Sequence, residues 1–230
     1  MKASKYFLIA FVVIVIDQSS KLLVNHFMVI HEEVNVLGEW FKLHYLLNPG
    51  MAFGIRWENE FGKLALTTFR IIAMVGIGVY LFRSARNNIH YGFLFCLSLI
   101  LGGAIGNVID STFYGVFLMN APFESPTPWF HGQVIDMLFF PLFEFYWPAW
   151  VPLVGGNHFL FFSPVFNIAD SSIFIGVASI LLFQKRFFKE KVSGESHRDS
   201  EPGKVALSSD LIPESDSGRR DESTQQTSNT

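Results

Sequence analysis

The chain has 230 residues, of which half are hydrophobic and 26 are Phe, and its mean hydropathy is +0.33. This composition is rare among soluble domains of similar length and indicates an integral membrane protein. The formal charge of −3 arises in the tail, because residues 192–230 hold eight Asp and Glu against four Lys and Arg, and the remainder shows no nucleic-acid-binding patch. A single cysteine, Cys96, rules out an intramolecular disulfide and a metal site built on thiolates.

Four apolar stretches are long enough to cross a bilayer as helices, which takes about 20 residues each. We predict membrane spans at residues 6–27, 64–82, 91–110 and 164–183. The first stretch begins like a secretory signal peptide, but polar residues follow it in place of a small-residue cleavage site, so we expect it to be retained. The predicted fold class is a mainly α membrane protein with four transmembrane helices.

The distribution of positive charge predicts the orientation of these spans. Lys and Arg residues precede the first span, join the second to the third, and follow the fourth: Lys2, Lys5, Arg83, Arg86, Lys185, Arg186, Lys189 and Lys191. Residues 111–164 contain neither Lys nor Arg. Because positive residues concentrate on the cytoplasmic side, we expect both termini there and residues 28–63 and 111–163 on the outer side.

The first span carries an ion pair within an apolar helix. Asp17 and Lys21 are four residues apart and therefore share one helix face. Two interpretations are open at this point. The pair either neutralises itself within the helix or braces a polar site formed with other helices.

The third and fourth spans each carry an Asn and an Asp three residues apart, Asn107 with Asp110 and Asn167 with Asp170. A carboxylate at the centre of a membrane helix costs roughly 2.5–3.5 kcal/mol, so such acids indicate a functional site. Since the third span runs outward and the fourth runs inward, we expect the two pairs to meet at the same depth, near the outer surface.

Local signals accompany both of these pairs. Gly102 and Gly106 have the small-xxx-small spacing that lets a neighbouring helix approach closely. Ser163 is expected to cap the fourth helix, with Pro164 in its first position. That start would place the following Asn and Asp on one face, one turn into the helix.

The two outer segments are more than linkers. Residues 41–47 alternate polar and apolar before N-P-G at 48–50 and M-A-F-G-I, which predicts a small hairpin or sheet. In the second segment, Asp136 lies in an apolar run too short to span a membrane. The aromatic-rich residues 143–150 are expected to lie at the headgroup level over the site.

Three further expectations concern single residues and the tail. Cys96 is expected to be a small buried hydrophobic residue. His131 and His158 are expected to face solvent or the membrane interface. Residues 192–230 are polar and nearly free of aromatic residues, and we expect a disordered cytoplasmic tail.

Several carboxyl groups gathered at a membrane surface favour acid–base chemistry. Two close carboxyl groups share one proton, so that one activates water while the other protonates the carbonyl oxygen or the leaving amine. This is the logic of an aspartic protease. A metallohydrolase is disfavoured because H-E-x-x-H is absent and the histidines have no ligand spacing, and a serine hydrolase because G-x-S-x-G is absent.

Two other functions remain open from the residues alone. A small proton-coupled transporter would use Asp17, Asp110 and Asp170 as a relay. Against this alternative, the spans show no inverted repeat, and Asp136 lies outside every span. In a purely structural membrane protein the acids would only join helices, which leaves Asp136 unexplained.

Five motifs in order resemble the lipoprotein signal peptidase (signal peptidase II) family: D-Q-S-S-K (17–21), N-P-G-M-A-F-G (48–54), G-G-A-I-G-N-V-I-D (102–110), V-I-D (134–136) and F-N-I-A-D-S-S-I (166–173). Each motif alone is weak, but five in the right order on a four-helix pattern are specific. The family removes the signal peptide from bacterial prolipoproteins, cleaving before a diacylglyceryl-modified cysteine, and globomycin-type cyclic peptides inhibit it.

The resemblance implies roles for particular residues. Asp136 and Asp170 would be the catalytic pair of an aspartic endopeptidase that uses no cofactor or metal. The residues implied to support this pair, hold the substrate or stabilise the site are Asn48, Gly50, Asn107, Asp110, Asn167, Asp17 and Lys21. The resemblance also implies a bacterial cytoplasmic (inner) membrane location, with the active site at the outer, periplasmic face in contact with membrane lipid.

The sequence departs from the family pattern at one charged position. The family usually has Arg directly after the Asp of the third motif, whereas this chain has Ser111. Asp110 therefore needs another partner, either a cation or hydrogen-bond donors. Arg70 and Arg56 are the nearest candidates for that cation.

Overall fold

The computed structural model describes residues 3–50, 60–87, 89–153, 155–161 and 164–188. Its helices are α1 (Ser4–Phe27), α2 (Glu60–Arg86), α3 (Tyr91–Ile109), α4 (Gly115–Phe117) and α5 (Ile168–Phe187), with a π-helical turn at Asp110–Tyr114 joining α3 to α4. Its strands are β1 (Glu33–Leu37), β2 (Phe41–Asn48), β3 (Val134–Phe139), β4 (Phe143–Tyr146), β5 (His158–Phe161) and β6 (Val165–Phe166). The predicted tail, Ser163 and Arg56 lie outside the described residues.

Within the described residues, four helices are long and apolar enough to cross a membrane: Ser4–Phe27, Gly62–Arg86, Tyr91–Phe117 and Ile168–Phe187. Large apolar side chains such as Phe69, Ile72 and Leu182 are exposed on their outer faces, as lipid-facing residues must be. Helix α3 packs against the other three spans. The predicted fold class, four membrane helices with a small sheet, is confirmed.

The fourth span begins later than predicted. Helix α5 starts at Ile168, and its N-cap is Asn167, whose side chain accepts a hydrogen bond from the backbone N–H of Asp170 at 2.8 Å. The prediction of Pro164 as the first helical residue was wrong, because the residues just before Asn167 form β6 and pair with β3. An Asn side chain bonded to a free backbone N–H is a strong local start signal.

The third span continues beyond its predicted end at residue 110. One π-helical turn follows α3, and the backbone N–H of Asp110 approaches the carbonyl oxygens of both Asn107 and Gly106. Asp110 and Ser111 are fully buried within this turn. A π-turn inserts one extra residue into a helix and is frequent at functional sites.

A four-stranded antiparallel sheet lies beside the helices, in the order β1-β2-β3-β6. The prediction of a small sheet at residues 41–47 is confirmed, but β2 pairs with the preceding β1 and with the distant β3. The residues expected to return after the N-P-G turn lie outside the described ranges. In this register, Asp136 on β3 lies opposite Leu46, two residues from Asn48.

The aromatic-rich outer segment forms a second sheet. Strands β4 and β5 pair antiparallel over residues 143–161. Trp150 and Leu153, in the connection between the two strands, are largely exposed. The expectation that this segment lies at the membrane surface remains a prediction.

Two apolar clusters hold these elements together. One joins α1, α2 and α3 through residues such as Tyr6, Leu81 and Phe93. The other joins α1, the π-turn and the sheet through Val24, Tyr45, Tyr114, Ile135 and Met137. The second cluster fixes β3 against the ends of the helices. Cys96 is buried, as expected.

Glycines on α3 set the distance between helices. A Cβ on Gly102 would lie 2.8 Å from the carbonyl oxygen of Ala10, and one on Gly106 would lie 2.5 Å from Oδ2 of Asp17, so both face α1. A Cβ on Gly103 would collide with the carbonyl oxygen of Ala169 on α5. The predicted close approach at the small-xxx-small motif is confirmed, and α3 is in near-backbone contact on two sides.

Gly103→Ala is expected to destabilise the protein, because the added methyl group meets backbone that cannot move without shifting a helix. The loss in the free energy of unfolding is expected to be about 1–3 kcal/mol. Gly76→Ala on α2 is the matched control, since no atom lies within 4 Å of its Cβ position. Thermal unfolding in detergent measures both variants. Equal midpoints for Gly103→Ala and the wild type would contradict the close packing of α3 on α5.

Candidate active site

Side chains of strand β3 alternate between its two faces, and this alternation places Asp136 inside the structure. Its side chain is 3% exposed and accepts hydrogen bonds from Nδ2 of Asn48 at 3.0 Å and from Nδ2 of Asn167 at 2.7 Å. Its neighbours Ile135 and Met137 point to the opposite face of the strand and enter the apolar cluster with α1. One face of β3 is therefore anchored in the core while the other presents the acid.

Asp170 lies in the first turn of α5 and is half-buried. Its Oδ1 accepts a hydrogen bond from Nδ2 of Asn107 at 2.7 Å. Nδ2 of Asn167 approaches Oδ1 of Asn107 at 3.4 Å. The prediction that the two Asn–Asp pairs of the third and fourth spans meet is confirmed by these contacts.

The two acids influence each other. Burial raises the pKa of Asp136, and the negative charge of Asp170 raises it further, to about 7. Hydrogen bonds from Asn48 and Asn167 favour the ionised form and oppose these effects. Because burial and the charge of Asp170 disfavour ionisation of Asp136, Asp136 retains a proton close to neutral pH, and the two acids are suited to general acid–base chemistry.

Three carboxamides have a fixed orientation at this pair. In each, the carbonyl oxygen accepts from an immobile donor, which turns the NH₂ group towards a carboxylate. The anchoring donors are the N–H of Gly50 at 2.9 Å for Asn48, the N–H of Asp170 at 2.8 Å for Asn167, and Nζ of Lys21 at 3.2 Å for Asn107. The amides therefore present donors, and not acceptors, to Asp136 and Asp170.

Gly50 closes the turn that orients Asn48. Its φ is +99°, in the region that favours glycine, and a Cβ there would also lie 2.8 Å from Cδ2 of Leu66. Any larger residue would therefore move the backbone N–H that anchors Asn48. This is a local reason for glycine at the second motif.

A fully buried charge cluster lies beneath the acids. Nζ of Lys21 is 2.8 Å from Oδ2 of Asp17 and 2.7 Å from Oδ2 of Asp110, and none of the three side chains is exposed. Asp17 and Lys21 therefore do not only neutralise each other within α1, because Lys21 also contacts Asp110 in the π-turn. Arg70 was predicted as a cation partner of Asp110, and this prediction was wrong, because Lys21 forms that ion pair. The other predicted partner, Arg56, lies outside the described residues.

The charge cluster also fixes the start of α5. Oδ1 of Asp17 accepts a hydrogen bond from the backbone N–H of Ala169 at 2.8 Å. This bond satisfies an N-terminal backbone donor of α5 that has no partner inside the helix. Asp170 thus projects from a helix end held by its own cap, Asn167, and by a carboxylate on α1.

Gln18 lies within the first motif, and no role was predicted for it. Its Nε2 donates to Oδ1 of Asp110 at 2.8 Å and to Oδ2 of Asp17 at 3.1 Å, and its Oε1 accepts from the hydroxyl of Tyr114 at 3.0 Å. A polar residue next to Asp17 in an apolar helix was the available signal. Gln18 completes the hydrogen bonding of the buried carboxylates.

Arg70 contacts the residue that follows Asp110. Its Nη1 donates to Oγ of Ser111 at 3.0 Å. A guanidinium from α2 therefore lies beside position 111 of the third span, where the family that the sequence resembles usually has an arginine.

His131 differs from its expected position. It is buried, and its Nδ1 lies 2.9 Å from the carbonyl oxygen of Trp129. The expectation of a solvent or interfacial position was wrong, because the segment before β3 folds back onto the π-turn, where Gly132 donates to the carbonyl oxygen of Ser111 at 3.0 Å. The side chain of His158 lies outside the described part of the structure.

The arrangement does not resemble a metal centre. Within the described ranges, no group of three or more His, Cys, Asp or Glu side chains is placed to hold a metal ion. The buried acids are instead contacted by amide donors and by Lys21.

Comparison with known proteins identifies the family. A family model described as signal peptidase (SPase) II matches residues 9–186. The chain is 46% identical to a lipoprotein signal peptidase of Amoebophilus asiaticus over 194 residues, which cover 83% of this chain and 82% of the relative. It is 42% identical to the lipoprotein signal peptidase of Porphyromonas gingivalis, over 83% of this chain and 90% of the relative.

Solved structures share the fold. One bacterial membrane enzyme, 25% identical, aligns with a TM-score of 0.53 over 79% of this chain and 92% of its own. A second, 24% identical, aligns with a TM-score of 0.52 over 86% of this chain and 95% of its own. With the family match across the four spans and the curated relatives over most of the chain, this protein belongs to the lipoprotein signal peptidase (signal peptidase II) family.

Proposed function

We propose that Asp136 and Asp170 are the catalytic pair with which this aspartic protease removes signal peptides from prolipoproteins. The family establishes the activity, and no observation favours the proton-coupled transporter. The observation that carries the proposal is the placement of Asp136, buried between two fixed amide donors and electrostatically coupled to Asp170. The two acids thereby have different surroundings and can take different roles.

Asp136 is the proton donor in the first step, because its pKa of about 7 keeps it substantially protonated near neutral pH. Asp170 removes a proton from water as the water oxygen attacks the scissile carbonyl carbon, and Asp136 protonates the carbonyl oxygen. Asp170 then gives its proton to the leaving nitrogen as the carbon–nitrogen bond breaks. Asp136 recovers its proton from the tetrahedral intermediate, so the pair ends as it began.

The remaining predicted residues have supporting roles in this proposal. Asn48, Asn107 and Asn167 hold the two carboxyl groups in place, and Gly50 keeps Asn48 oriented. The buried cluster of Asp17, Lys21 and Asp110 fixes α1, the π-turn and α5 relative to one another.

The family and the charge distribution support a more specific proposal for the substrate and the location. We expect the substrate to carry a diacylglyceryl-modified cysteine directly after the cleaved bond, and globomycin-type peptides to inhibit the enzyme at this site. The positive residues support cytoplasmic termini in the bacterial inner membrane. That orientation places the acids at the periplasmic face, where membrane lipid meets the substrate.

Asp136→Asn and Asp170→Asn are each expected to lower the cleavage rate by roughly 10²–10⁴-fold, because an amide cannot exchange the proton that acid–base catalysis requires. The measurement is turnover of a lipidated precursor by purified protein. Glu124→Gln, an exposed acid in the same outer segment, is the matched control and should retain full activity. Near wild-type turnover by a folded variant of either dyad residue would rule out the proposed mechanism.

The pH dependence of cleavage is expected to have a falling alkaline limb. Below a pH of about 7, Asp136 holds its proton and can act as the acid, and as the pH rises through this value the proton is lost. The value of kcat/KM should therefore decline between about pH 7 and about pH 9. A profile that stays flat over this interval, with the protein still folded, is the result that contradicts the assignment.

Chelator treatment is expected to leave the activity unchanged, because two acids suffice to activate water and the described residues provide no cluster of metal ligands. The test compares turnover of the lipidated precursor before and after dialysis against a chelator. Loss of activity that added Zn²⁺ restores would require a metal-dependent mechanism.

A further inference from the structure

The guanidinium of Arg70 lies beside the site without a role in the steps above. It reaches from α2 to the π-turn and donates through Nη1 to Oγ of the buried Ser111 at 3.0 Å. Both of its terminal nitrogens are 4.0 Å from the position that a Cβ on Gly50 would occupy. Arg70 therefore lies between the turn that orients Asn48 and the turn that contains Asp110.

The position of α2 at this point is fixed by a second contact. Thr67, one turn before Arg70, is buried, and its hydroxyl donates to the carbonyl oxygen of Phe130 at 3.2 Å. The guanidinium is thus held by the helix that carries it as well as by Ser111. A side chain placed in this way loses little further conformational freedom when it binds a ligand.

Within the described part of the chain, Arg70 is a cation near the acids that keeps hydrogen-bond donors for a ligand. Lys21 is committed to its ion pairs with Asp17 and Asp110. Arg70 interacts electrostatically with Asp170 most strongly and with Asp110 and Asp136 as well. Among the residues that the structure describes, its one hydrogen bond is the bond to Ser111, although a guanidinium carries five N–H donors.

A peptide substrate brings the acceptors that match these donors. A peptide cleaved at the two acids must bring main-chain carbonyl oxygens close to them, and these oxygens need hydrogen-bond donors from the protein once they leave water. Guanidinium donors hold carbonyl oxygens through charge-assisted hydrogen bonds, which are stronger than neutral ones.

We infer that Arg70, supported by Ser111, is a substrate-binding residue that holds a main-chain carbonyl of the precursor peptide next to the catalytic pair. The inference rests on the proposed roles of Asp136 and Asp170. It also explains how the chain functions with Ser111 after the acid of the third motif: the guanidinium comes from α2, and a small hydroxyl residue leaves room for it.

The test exchanges the two residues. The substrate is a synthetic precursor peptide with a diacylglyceryl-modified cysteine, and kcat and KM are measured separately. Arg70→Ser is expected to raise KM by about tenfold to about a hundredfold, the range for a lost hydrogen bond to a charged group. The double variant Arg70→Ser with Ser111→Arg should recover most of that loss, since it returns a guanidinium to the same place.

Two conservative variants separate binding from folding. Arg70→Lys keeps the charge but not the planar donors, and we expect an intermediate KM. Arg83→Lys makes the same change at an exposed position on the same helix and should behave as the wild type. Thermal unfolding of every variant identifies any that fail to fold, and Ser111→Ala, which removes only the hydroxyl acceptor, then provides the independent test through a smaller rise in KM.

The outcomes distinguish the two proposals. If the wild type cleaves the peptide, Asp136→Asn does not, and folded Arg70→Ser has a wild-type KM, then the inference about Arg70 is wrong and the catalytic pair stands. A fall in kcat alone, with no recovery in the exchanged double variant, would also overturn it, because a supporting role in the fold predicts that pattern. Cleavage by Asp136→Asn at the wild-type rate would instead overturn the catalytic pair.

Discussion

The site depends on one buried ion cluster, in which Lys21 contacts Asp17 and Asp110 with no exposed surface on any of the three side chains. Burying such charges is costly, and removing one partner of a buried pair typically costs about 3–5 kcal/mol because the others are left uncompensated. The cluster is satisfied only when α1 and the π-turn adopt their observed positions. The cluster therefore favours one arrangement of the helices. Apolar contacts between helices in lipid are weakly directional and distinguish less between alternative arrangements.

Hydrogen bonds connect the buried cluster to Asp136 and Asp170. Lys21 orients the amide of Asn107, which donates to Asp170, while Asp17 holds the N–H of Ala169 at the start of α5. Asn167 joins the two catalytic candidates directly, because it caps α5 through Asp170 and donates to Asp136. A shift in any one amide would replace a donor by an acceptor next to a carboxylate, so the orientations are mutually dependent.

The sheet contributes the carboxyl group of Asp136, which lies on a strand and outside the four membrane helices. A carboxyl group on β3 is brought to the ends of the helices because Ile135 and Met137, on the other face of the strand, pack against α1 and the π-turn. The burial that anchors the strand and the negative charge of Asp170 together raise the pKa of Asp136 to about 7, so the packing that fixes the acid also contributes to a usable proton. The ionised form of Asp136 is correspondingly unfavourable in the folded state, a cost that grows as the pH rises towards that value.

Apolar length and motif content in the sequence were enough to predict four spans, a small sheet and the family, because these depend on local composition and on residue order. The acids could be predicted to form a site, since an unpaired carboxyl group in an apolar membrane segment is costly whatever the tertiary structure is. The pairing of Lys21 with Asp110, the cap at Asn167 in place of Pro164, the burial of His131 and the approach of Arg70 to Ser111 required the tertiary structure. Each of these features joins segments that are distant in sequence or depends on strand pairing and packing. Local periodicity contains no information about which distant groups will lie within hydrogen-bond distance, roughly 3 Å, of each other.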